Sequence, residues 1–144
     1  MKRHLDSAGF SLVEVTLAIG IAAFCLVTVF ALIPVAALTN RNATSQAAAT
    51  NIMAAVTADM RATGTTVSTS AQYGITFGTP KTLYFDSAGQ FTTALGPNSR
   101  YQLSITWYGS GGLRYADLKV TWPAAATAAN ATGSTELSAA FDRN

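Results

Sequence analysis

Cysteine and histidine each occur once in this chain, as Cys25 and His4. A lone cysteine forms no disulfide within the chain, and one histidine beside it supplies no zinc-ligand pattern. Charge is scarce too: 11% of residues are charged and the formal net charge is +2. No basic patch follows from that balance, so nucleic acid is not indicated as a partner. No second histidine, glycine-rich phosphate loop or nucleophile motif is present. Asp86 and Asp117 are the carboxylates that acid–base work or a calcium loop would have to use, and they are expected in a turn and on a strand face. The pattern predicts no catalytic residue, no metal, no cofactor and no enzyme activity.

What the chain does hold is one long apolar run. Residues 10–38 contain a single charged side chain, Glu14, and a single proline, Pro34. As a helix this run reaches about 43 Å, more than the ~30 Å hydrocarbon core of a bilayer. A cleaved secretory signal has a shorter apolar core, roughly 7–15 residues, before a small-residue site. Val35-Ala36-Ala37 imitates such a site, but the run is too long and Glu14 interrupts it. Lys2 and Arg3 precede the run, which places the amino end in the cytoplasm and the remainder across the membrane. Cys25 is expected to behave as a buried small hydrophobe. Pro34 removes a backbone donor and is expected to kink or loosen the helix.

A carboxylate in such a run costs about 2.5–3.5 kcal/mol at a helix centre and less near an end. Glu14 therefore needs a compensating partner. If the chain is cut after Gly9, the ammonium of Phe10 stands one helical turn from Glu14, and the two share a face. A carboxylate also suits the positive end of the helix dipole. In stacked helices offset along their axes, Glu14 of one subunit meets the Phe10 ammonium of its neighbour and rewards one register.

Beyond the run the helical period continues. Ile52, Val56 and Met60 recur at four-residue spacing, with Ala48 and Ala55 near the same stripe, and Gly64 is a stop signal. One helix over about residues 10–61 is expected. From Gly64 the period changes to two. Tyr73, Ile75 and Phe77 alternate with polar or small residues, as do Leu83 and Phe85. Residues 86–89 and 96–98 read as turns, and residues 90–93 as a short strand. Tyr101, Leu103, Ile105 and Trp107 form a clear alternating strand. After a glycine-rich loop, Ala116, Leu118, Val120 and Trp122 form another. These are antiparallel hairpin signals with one buried face. Residues 123–133 are low-complexity Ala/Thr, and residues 134–141 are a candidate edge strand.

The stretch Gly9-Phe10-Ser11-Leu12-Val13-Glu14-Val15, behind a short basic leader, resembles the processing motif of the type IV pilin-like superfamily, which includes type II secretion pseudopilins. Glu14 takes the fifth position counted from Phe10, as in the family pattern. The resemblance covers about residues 1–38. It implies cleavage between Gly9 and Phe10 by a prepilin peptidase, N-methylation of Phe10, and a role for Glu14 in subunit recruitment and register. The absence of a carboxyl-terminal cysteine pair separates the chain from disulfide-looped major pilins. The ending Leu118-Lys119-Val120-Thr121-Trp122-Pro123 looks more like minor pseudopilins and Verrucomicrobia-type prepilin-like cassette proteins. The family's helix proline lies somewhat earlier than Pro34.

The expected fold is α+β and pilin-like: a long amino-terminal helix, transmembrane in its first half, packed on a small antiparallel sheet. Residues 1–9 would be the leader, 10–38 the transmembrane and assembly half, 39–63 the amphipathic half, and 64–144 the sheet domain. The expected function is a structural subunit of a type IV pilus-like or pseudopilus filament. Its partners would be other pilin or pseudopilin subunits, the prepilin peptidase that cuts it, and inner-membrane lipid before assembly. It would cross the inner membrane once, then enter the filament. The alternative is a single-pass, membrane-anchored binding module that does not polymerise.

Overall fold

The structure, a computed structural model, describes residues 9–109, 112–127 and 129–143. The leader positions Lys2, Arg3 and His4 lie outside the described residues. One helix, α1 (Leu12–Ala62), precedes five strands: β1 (Lys81–Phe85), β2 (Phe91–Thr92), β3 (Tyr101–Tyr108), β4 (Leu113–Trp122) and β5 (Gly133–Asp142). By its internal contacts the chain divides into two units, Met1–Arg41 and Asn42–Asn144. The expected α+β class, a long helix packed on an antiparallel sheet, is what the chain adopts.

The first unit is the apolar part of α1. No residue of its most apolar window is buried, and its mean hydropathy is 2.7, so by length and composition it can cross a membrane. Its hydroxyls turn back onto the helix. Thr16 and Thr28 donate to the carbonyls of Val13 and Cys25 at 3.0 and 2.8 Å, which leaves neither group unsatisfied in apolar surroundings. The helix continues through Pro34. Cys25 is exposed on the helix, not buried as its type suggested.

In the second unit the strands pair antiparallel in the order β2-β1-β3-β4-β5. Period-two alternation sends Leu83 and Phe85, then Leu103 and Ile105, then Leu118 and Val120 to one face, each no more than 1% exposed. Against that face lies the stripe Ala49, Ile52, Met53, Val56 and Met60 of α1. Full burial of each larger aliphatic side chain is worth about 1.5–3 kcal/mol, so this seam is the main source of the domain's stability. The stripe is rotated slightly from the expected one: Ala49 and Met53 are buried, whereas Ala55 is exposed.

Polar ties fix the helix along the sheet. Arg100 Nη2 donates to the buried Ser45 Oγ at 3.2 Å. The Asp59 carboxylate accepts the backbone N–H groups of Gln72 and Tyr73 at 3.1 and 3.2 Å. Arg143 Nη1 donates to the Thr63 carbonyl at 3.0 Å, Nη2 donates to the Val67 carbonyl, and the guanidinium lies 3.9 Å from the Phe77 ring centre.

Residues 73–77 are not the strand that their alternation predicts. Gly74 and Gly78 sit at φ 59° and 85°, in the left-handed region, and turn the chain at both ends. One isolated bridge, Thr69 to Thr76, remains. Tyr73 and Ile75 are buried all the same, because this loop closes one side of the core. The helix ends at Ala62, and Gly64 does not take a positive φ there. Residues 133–142 form a full ten-residue edge strand, paired with β4 along its whole length.

Candidate functional site

The start of α1 is built by Ser11 and Glu14. Ser11 precedes the first helical residue, and its Oγ accepts the Val13 N–H at 3.3 Å. Glu14 reaches back, and its Oε2 accepts the Ser11 N–H at 3.0 Å. The Val15 N–H donates to the Ser11 carbonyl at 3.1 Å, closing the first turn. This is a variant of the capping box: the Glu14 carboxylate satisfies the Ser11 N–H three residues back, and the serine oxygen satisfies the N–H of Val13 two residues on. Amide groups at a helix start have no partner within the helix, and in apolar surroundings each one left open is costly. Glu14 therefore performs a local task in the single chain, at the positive end of the helix dipole.

Phe10 precedes the helix and is 87% exposed. Gly9 before it is exposed, with no heavy atom within 4 Å of where a side chain would begin. Both residues are exposed and precede the helix. Phe10, Glu14 and Ala18 follow one another at four-residue spacing, and with Val15 and Ile19 they line one almost wholly apolar depression. Phe10 and Glu14 thus share a face, as the spacing predicted. Among the described residues no cation pairs with the Glu14 carboxylate. Ser11 was the part of this site not singled out from sequence, although the pattern Ser-x-x-Glu before an apolar run is a known signature of a helix start.

The two other carboxylates considered above have structural roles. Asp86 Oδ1 accepts the N–H groups of Ala88 and Gln90, both at 2.8 Å, and shapes the turn after β1. Asp117 accepts the Ser138 hydroxyl at 2.5 Å on β4. The register keeps them apart: Phe85, just before Asp86, pairs with Tyr101, whereas Asp117 pairs with Thr106. Among the described residues no group of three or more His, Cys, Asp or Glu side chains comes together. Burial, with the Asp59 carboxylate adding to it, holds the Tyr73 phenol above its ordinary pKa. That shift belongs to the core and not to a reactive centre.

Comparison with family models, with curated proteins and with solved structures finds no match to this chain.

Proposed function

We propose that this chain is a structural subunit of a type IV pilus-like or pseudopilus filament, held in the inner membrane by α1 until it assembles. The observation that carries this reading is Glu14. It is the one charge in a 29-residue apolar run, and it sits five positions into the stretch that starts at Phe10. Closing the helix start needs a side-chain acceptor but not a charge, since glutamine serves there too, so a purely anchoring helix does not require a carboxylate in lipid. The bare Gly9 and Phe10 segment, the shared face of Phe10 and Glu14, and a helix long and apolar enough to cross a membrane support the same reading.

In this account a prepilin peptidase cuts between Gly9 and Phe10 on the cytoplasmic side, and Phe10 is then N-methylated. The Phe10 ammonium of one subunit meets Glu14 of its neighbour when the helices stack with the correct offset. Opposite charges attract strongly where water is excluded, so the pairing selects register. The capping box adds one feature. Before assembly the carboxylate is occupied by its own Ser11 N–H, which lowers the cost of carrying it in lipid. The subunit's own role is structural; the chemistry belongs to the enzymes that process it.

Glu14→Gln tests the reading because glutamine also closes a capping box but carries no charge. The variant is expected to insert and start its helix as the wild type does, yet to enter filaments at least about tenfold less, the equivalent of ~1.4 kcal/mol. Glu14→Leu is expected to lose both the box and incorporation. Filament incorporation of Glu14→Gln at the wild-type level would refute a charge-based register.

A further inference from the structure

Glu14 has two carboxylate oxygens, and the chain uses one of them. Oε2 accepts the Ser11 N–H at 3.0 Å, and among the described residues Oε1 has no hydrogen-bond or ion partner. The two oxygens of a carboxylate accept several hydrogen bonds between them, so the bond from Ser11 leaves capacity for a further donor. Of the residues that line the depression at the start of α1, only Glu14 has a polar side chain; Phe10, Val15, Ala18 and Ile19 supply the rest.

Ser11 acts here through two separate groups. Its Oγ accepts the Val13 N–H at 3.3 Å, which fixes the helix start at Leu12 and keeps Ser11 outside the helix. Its own N–H, which the helix cannot satisfy at that position, goes to Glu14. A hydrogen bond to an ionised carboxylate is stronger and shorter than one between neutral groups. It also restrains a long side chain that would otherwise sample many rotamers, and such side chains lose the most freedom when they are fixed.

We infer that the Ser11 backbone N–H is a positioning group for Glu14. It holds the carboxylate by Oε2 before assembly and stays bound while Oε1 takes the Phe10 ammonium of the neighbouring subunit. The inference rests on the filament reading above and adds to it the group that prepares the pairing. A side chain already fixed in place loses less freedom when the neighbour docks, so the contact is stronger. The opposite arrangement, in which the ammonium must displace the Ser11 N–H, would make the internal bond a competitor of assembly, and its removal would then favour incorporation.

Ser11→Pro removes the N–H, and Ser11→Ala is its control, because alanine also lacks Oγ but keeps the N–H. Proline is tolerated at a helix start, and the residue-11 carbonyl that accepts the Val15 N–H remains. Each variant is made as the full chain beside wild-type subunits in cells that assemble the filament. Incorporation is counted per matured chain, identified by its Phe10 amino end, so that altered cleavage does not enter. Ser11→Ala is expected within about threefold of the wild type, and Ser11→Pro at least about tenfold below Ser11→Ala. In chains that also carry Glu14→Gln, alanine and proline at position 11 should differ by less than about twofold, because no charge pairing is left to prepare. Incorporation of Ser11→Pro equal to or above that of Ser11→Ala would overturn the inference while Glu14→Gln stays low. So would a loss that persists undiminished in Glu14→Gln chains, which would place the effect of proline in the helix start. Wild-type incorporation of Glu14→Gln alone would remove the pairing itself, and the inference with it.

Discussion

Asp59 shows how much one side chain can organise. It stands near the end of α1 and accepts two backbone N–H groups, from Gln72 and Tyr73, in the loop that closes the core. Asp59→Ala removes the acceptor of the part-buried Tyr73 N–H and leaves that of exposed Gln72 to water, and is expected to cost about 1–2 kcal/mol, read as a lower urea midpoint. Tyr73 provides a second measurement. Its phenol keeps its proton in the folded chain beyond the pH, about 10, at which the unfolded chain loses it. The stabilising contribution is whole below that pH and is lost as pH rises from about 10 toward the folded pKa. Unfolding midpoints should therefore be insensitive to this group at pH 8–9 and fall above pH 10, and Tyr73→Phe should flatten that fall. At this scale the sequence was partly legible. Glu14 stands out by charge alone, whereas Asp59 has no local signal, because its partners are 13 and 14 residues away in a loop of no regular pattern.

The elements follow from period more than from composition. The helix and the strands β1, β3 and β4 were readable because apolar residues recur at four or at two positions along them. Residues 73–77 carried the same two-residue period and still did not form a strand. There the glycines at 74 and 78 take left-handed angles that alternation does not encode. The edge strand shows a different device. At its first residue, Gly133, a methyl group would fall within the Trp122 indole, which packs directly over the glycine backbone. Gly133→Ala is expected to push the indole off its site and to cost about 1–3 kcal/mol, as overpacking does, with a shift in the Trp122 fluorescence. Gly64→Ala, which meets open space, should leave the stability of the sheet unit nearly unchanged. The capping box lies between the residue and element scales. Its two side chains were in plain view, but its meaning depends on where the helix starts, and that boundary is set by the backbone.

At the scale of the whole molecule, two units divide the work. The unit Met1–Arg41 contains the apolar helix with Glu14, and the unit Asn42–Asn144 contains the core, the polar ties and the sheet faces. The assembly reading rests on the first. The apolar unit was the more legible in sequence, because a membrane-length run and one charge need no tertiary information. The outer sheet face was not legible, since Tyr108 and Tyr115 become neighbours only through the β3–β4 register. The central claim concerns maturation of the amino end, and mass spectrometry of the native protein tests it most directly. A mature chain that begins at Phe10 and carries an N-methyl group is the result predicted. A chain that still begins at Met1, or one that begins at Leu38 after conventional signal cleavage, would contradict it.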